Sequence, residues 1–136
     1  MARSRSRHVA IAAMLALAGC ASASDNATPD GEWTVAAIGG DAVAGDPPLT
    51  LTIGQDRYGG YAGCNRYGGA VTVTGGAIAF GPAAATRMFC GGPGQMEREQ
   101  ALFDSLQAAD SWRLEADRLV LDDGEGGTVL TLDRAP

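Results

Sequence analysis

From Trp33 onward the apolar residues fall in short runs divided by Gly, Asp and Pro, the signature of antiparallel β-structure with tight turns. The pattern predicts strands at 33–38, 49–53, 57–61, 70–74, 77–80, 111–114, 118–121 and 128–132. Val71 and Val73 alternate with Thr72 and Thr74, and Val120 with Leu119 and Leu121, so one face of each strand is expected to turn inward. Gly75-Gly76 fits a two-residue hairpin turn, and the stretch from Asp122 to Gly127 joins the last two strands.

One segment departs from this rhythm. QMEREQALFDSLQAA, residues 95–109, places Met96, Leu102, Phe103 and Leu106 at helical spacing after a GGPG turn, and predicts an amphipathic helix. Its polar side holds three acids and one arginine, so the apolar stripe suits the open end of a sheet or barrel better than a membrane. Glu97, Glu99 and Asp104 read as its wet face. Arg-Tyr-Gly-Gly occurs twice, at 57–60 and 66–69; nine residues is too short a period for a solenoid, so the copies read as neighbouring strand ends. The expected architecture is mainly β (α+β): a strongly curled antiparallel sheet or barrel of about eight short strands with one packed amphipathic helix.

The N-terminus carries an address. MARSRSRH has three arginines and no acid, and the uncharged run VAIAAMLALA follows; about ten apolar residues fall short of the roughly 20 that a spanning helix needs, so residues 1–19 read as a signal peptide. Leu17-Ala18-Gly19-Cys20 resembles a bacterial lipobox, with Cys20 acylated and 20–30 a lipidated tether; cleavage after Ala23 at Ala21-Ser22-Ala23 is the alternative. Each buried acyl methylene contributes about 0.8 kcal/mol, enough in several chains to hold a domain on a membrane. The localisation read from this is the bacterial cell envelope, lipid-anchored at the outer membrane and facing the periplasm. Removing the leader takes three of ten arginines and leaves seven against sixteen acids, a net charge of −9 that disfavours nucleic acid as a partner.

Composition also excludes chemistry. The single histidine, His8, lies in the leader and the chain has no lysine, so Ser-His, Cys-His, zinc-histidine, Schiff-base and P-loop lysine sites have no candidates in the mature chain. No cofactor, metal or catalytic residue is assigned. With Cys20 lipidated, Cys64 and Cys90 remain as an even pair, and export favours their disulfide. Closing a loop of about 26 residues is worth roughly 3 to 4 kcal/mol on the loop-entropy model. A thiol-redox role for the pair is the rival, with Arg66 and Arg87 as sources of positive charge, although no C-x-x-C and no base accompany them.

GCNRYGG at 63–69 and TRMFC at 86–90 resemble the paired motifs of the META domain, found in HslJ-type bacterial lipoproteins. Trp33, Pro47-Pro48-Leu49, the helix from Leu102 to Leu106 and the closing LxL hairpin extend the resemblance over about 31–134. It implies a compact antiparallel β-domain with one helix, an envelope location, no catalytic reaction to carry over, and a general association with envelope stress and drug tolerance. Asn65 then has two readings: an αL turn residue after Cys64, or, with Arg66 and Arg87, part of a ligand site. The arginines would either tie loops or grip an anion. The acidic turn from Asp122 to Gly127 lacks EF-hand spacing and reads as solvated, with calcium as the alternative.

These observations point to a non-enzymatic, membrane-anchored envelope lipoprotein, monomeric, supporting envelope integrity or stress and drug tolerance through an envelope protein partner. The alternative is a small-ligand-binding barrel with a cavity near Tyr58, Tyr61 and Trp112.

Overall fold

The computed structural model describes residues 27–136. The leader, Cys20 and the cleavage site after Ala23 lie outside the described residues. Chain order is β1 (Gly31–Ile38), β2 (Asp41–Ala42), β3 (Thr50–Ile53), β4 (Arg57–Tyr61), β5 (Arg66–Thr74), β6 (Ala77–Phe80), β7 (Ala84–Ala85), α1 (Gln95–Ala108), β8 (Ala109–Glu115), β9 (Arg118–Asp123) and β10 (Thr128–Arg134).

The strands β1, β3, β4, β5, β6, β8, β9 and β10 bond antiparallel in that order, and β10 pairs back onto β1. Eight strands therefore close into a barrel, which leaves no free edge around its wall. The short strands β2 and β7 are additions on β1 and β5. Their two residues are too few to produce a readable alternation. The narrowest seam is β6 to β8, with one registered pair, Ala77 opposite Ser111. Trp112 reinforces it, its backbone amide donating to the Gly76 carbonyl at 3.0 Å and its indole N–H to Gly75 at 2.8 Å.

Inside, Trp33, Leu51, Leu102, Leu119, Leu121, Leu130 and Leu132 are fully buried in one cluster. The Trp33 indole donates to the Pro29 carbonyl at 2.9 Å, and the Arg134 guanidinium stacks 4.4 Å from its ring. On β9 the alternation is incomplete: Val120 is buried on the outer face, flanked across the strands by Arg113 and Thr131. An arginine stem covers apolar surface while its charged head stays in water. The helix plugs one end with Leu102 and Leu106, and Phe103 meets Tyr67 edge-on at 5.4 Å. It runs into β8 without a loop, as Ala109 turns to extended geometry while its N–H still bonds Ser105.

The sequence pattern started β5 at residue 70, but it begins at Arg66, and the repeated tetrapeptide explains the difference. The two copies pair with each other antiparallel, setting Tyr58 opposite Gly69 and Tyr67 opposite Gly60. Each tyrosine lies beside a glycine across the strands, so residues that weaken a strand are covered by aromatic rings. The phenols reach further, Tyr58 donating to the Gly81 carbonyl and Tyr67 to the Thr50 carbonyl, both at 2.6 Å.

Two outcomes follow. A Cβ at Gly60 would collide with the Thr50 carbonyl oxygen and crowd the Tyr67 hydroxyl, whereas one at Gly76 meets nothing within 4 Å. Gly60→Ala should cost at least about 1–3 kcal/mol in urea unfolding followed by tryptophan fluorescence, and Gly76→Ala should stay within about 0.5 kcal/mol. Burial, reinforced by the neighbouring Tyr58, holds the Tyr67 phenol well above its ordinary value. The unfolded chain then releases this proton first, so stability is full below about pH 10 and falls as pH rises beyond it. Tyr67→Phe should flatten that alkaline slope.

Candidate functional site

The residues singled out between β4 and β5 converge beside the helix. Gly63 takes the left-handed conformation, φ 93°, and Ala62 N–H bonds the Asn65 carbonyl at 2.9 Å, making a tight corner. Asn65 itself is not left-handed. That corrects the turn-residue expectation: glycine supplies the backbone freedom, and the asparagine amide turns inward to bond three segments.

Asn65 is 2% exposed and every polar atom of its side chain is used. Its Oδ1 accepts from the Met88 N–H at 2.7 Å and the Thr86 hydroxyl at 2.9 Å. Its Nδ2 donates to Glu99 Oε1 at 2.9 Å and to the Met88 carbonyl at 3.3 Å, while its backbone N–H donates to Glu99 Oε2 at 3.0 Å. One side chain thus joins the β4–β5 corner, the segment after β7 and α1.

Glu99 overturns the wet-face reading. It is 7% exposed and shares the inward stripe with Leu102 and Leu106, at helical spacings of three and seven. The carboxylate is acceptable there because two N–H donors from Asn65 satisfy it. Met96, by contrast, leaves the stripe at 36% exposure. Ahead of the helix, Gln95 reaches back to accept from Gly92 N–H at 2.9 Å and donates to Gly63 at 3.3 Å, compensating for an N-cap glycine without a side chain.

Cys64 and Cys90 form a disulfide with Cα atoms 5.9 Å apart. Between its ends, Met88 and Phe89 stand in solvent at 57% and 87% exposure. They form one bank of an open groove of about 550 Å³; Met96 and Phe103 form the other, and Asn65 and Glu99 lie at its floor. Arg87 lines this groove, whereas Arg66 lines a separate hollow with Pro47, Pro48 and Tyr61. The fold therefore does not gather the two arginines into one anion site. Neither forms an ion pair among the described residues.

The other candidates take internal roles. Asp122 pairs with Arg113 and accepts from the Thr128 hydroxyl at 2.8 Å; Asp123 accepts from the N–H groups of Glu125 and Gly127 at 2.9 and 2.8 Å. The turn read as solvated thus holds its own carboxylates, and no cluster suited to a metal occurs among the described residues. Tyr58 packs edge-on against Phe80 at 5.0 Å, Tyr61 donates to the Gly63 carbonyl, and Trp112 clasps the seam. They fill or fasten the barrel and do not line an inner cavity. Chemically, the groove offers apolar contact and one exposed guanidinium, because the Glu99 oxygens and both sulfurs are engaged.

A family model described as META domain matches residues 26–136. An NMR structure of a protein from Burkholderia xenovorans is similar, at 32% identity and TM-score 0.62, covering 78% of this chain and 82% of that one. A second NMR structure matches at 25% identity and TM-score 0.60, covering 76% and 87%. Among curated proteins none matches.

Removing the hub should be costly. Asn65→Ala strands the Glu99 carboxylate and the Met88 N–H, and should lower stability by about 3 kcal/mol or more, with Glu99→Gln nearer 1–2 kcal/mol. Urea titration of both variants and their double mutant should show strong non-additivity.

Proposed function

The chain belongs to the META domain family, and from that premise we propose that it is a non-enzymatic envelope lipoprotein. In this reading acyl chains on Cys20 anchor the barrel at the outer membrane, facing the periplasm. There it supports envelope integrity or tolerance of stress and drugs by contacting another envelope protein.

One observation carries the reading. Phe89, 87% exposed, and Met88, 57% exposed, sit on a segment fixed by the Cys64–Cys90 bond and by Asn65. A mobile loop would tuck such side chains against the domain. Holding them outward keeps apolar area available to a partner at little further entropic cost on binding. Export is supported by the leader's basic and apolar pattern, and an internal disulfide accords with an oxidising compartment.

The placement of the first described residues agrees with an anchored orientation. Ala27 lies beside Gly75, Gly76 and Trp112, next to the far end of β5, whereas the groove lies at the Arg66 end. A membrane tether leaving from Ala27 would leave the groove pointing away from the bilayer.

Mass spectrometry of the mature chain should find an acylated Cys20, and a photo-crosslinking amino acid at position 89 should capture one envelope protein in cells, with position 117 on the β8–β9 turn as the silent control. An unacylated full-length chain in the cytosol, or equal labelling from both positions, would overturn the reading.

A further inference from the structure

We infer that the groove between β7 and α1 receives an extended peptide segment of the partner protein, added as a strand along β7, with an acidic residue for Arg87 and an apolar residue for the Met88, Phe89 and Met96 rim. This rests on the protein-contact reading above and names the chemistry of the partner.

The backbone makes the first case. β7 pairs with β5 through Tyr67 opposite Ala85 and Gly68 opposite Ala84, and the Thr86 N–H donates to the Arg66 carbonyl at 3.0 Å. In an antiparallel ladder bonded and non-bonded pairs alternate, so a bonded pair at Arg66 and Thr86 turns the N–H and C=O of Ala85 away from β5. Among the described residues β7 pairs with β5 alone, and neither group bonds to a turn or loop. The other added strand, β2, also lies beside the helix, in a hollow with Glu97, Arg98 and Ala101, but it is Ala83 and Ala85 of the β7 segment that border the groove with the exposed Met88 and Phe89. An unpaired edge beside apolar pockets is the arrangement that strand addition uses: main-chain bonds hold the peptide, and alternate side chains enter the groove.

Charge and space narrow the occupant. Glu99 is covered and bonded to Asn65, so the exposed charge of the groove is Arg87, which has no acidic partner among the described residues. In a chain of net charge −6 a basic point at an apolar rim is a local exception that an acidic side chain would complement. A volume of about 550 Å³ suits a few side chains rather than a folded domain. The first described residue, Ala27, lies at the opposite end of β5 from the groove, about 26 Å along that strand.

The test pans phage-displayed random decapeptides against the full chain purified in detergent. Enriched sequences should place an acid among alternating apolar residues, and a synthetic copy should shift the amide NMR signals of residues 84–89. Affinity should fall at least tenfold in Phe89→Ala, an exposed site whose change leaves folding intact. It should also fall tenfold in Arg87→Glu and return when the peptide's acid is replaced by lysine. Enrichment equal to that on Phe89→Ala, shifts confined elsewhere, a helical bound peptide, or indifference to Arg87→Glu each overturns strand docking. If position 89 still captures an envelope protein in cells, only the docking mode has failed. If the chain is cytosolic and unacylated while peptide binding persists, the envelope reading has failed and the groove chemistry stands.

Discussion

The buried amide of Asn65 is the interaction on which the rest of this molecule depends. Three pieces of chain distant in sequence, the β4–β5 corner, the segment after β7 and the helix, meet through its hydrogen bonds to Met88, Thr86 and Glu99. An amide is suited to this because it offers two donors and a two-fold acceptor in one plane. Glutamate at position 99 is tolerable beneath the helix only because those donors meet it. Neither residue would be acceptable in the interior without the other.

Barrel closure sets the conditions around this hub. Drawing β3, β4 and β5 into a tightly curved wall requires backbones to approach where glycines stand, and the paired tyrosines recover the packing those glycines give up. The same phenols then bond to carbonyls at 50 and 81, outside their own pair of strands. Sheet curvature, aromatic packing and polar satisfaction are therefore one arrangement viewed at three scales. The helix completes it by covering the end near Asn65, so the polar hub and the apolar plug occupy the same cap.

Much of this was legible in the chain. Strands with an even alternation or a clear turn, such as Arg57–Tyr61 and Ala77–Phe80, match the pattern residue for residue, and the helix ends within one residue of its expected limit. The resemblance carried by GCNRYGG and TRMFC placed the chain in its family before any geometry was known. Burial of Glu99 was hidden because charge argues for solvent, yet its spacing from Leu102 and Leu106 marked the inward face. Strand β5 begins at Arg66, ahead of the Val71–Thr74 alternation, because Arg66 to Gly69 carries no apolar alternation of its own and joins the sheet through its pairing with Tyr58 to Tyr61. The groove was out of reach altogether: Phe89 looks like any core aromatic until a cross-link and a hydrogen-bonding asparagine are seen to hold it outside. Lipidation at Cys20 lies beyond the described residues, so the structure adds nothing to its sequence argument.

The bond between Cys64 and Cys90 has a topological effect as well as an energetic one. It encloses β5, β6 and β7 in a single covalent ring that contributes two of the eight staves of the barrel. A protease that cut once anywhere inside that ring, for instance at the outstanding Phe89, would open the loop without releasing a fragment, because both halves stay joined through sulfur. The nicked protein would stay in one piece, so a single scission beside this exposed phenylalanine releases nothing.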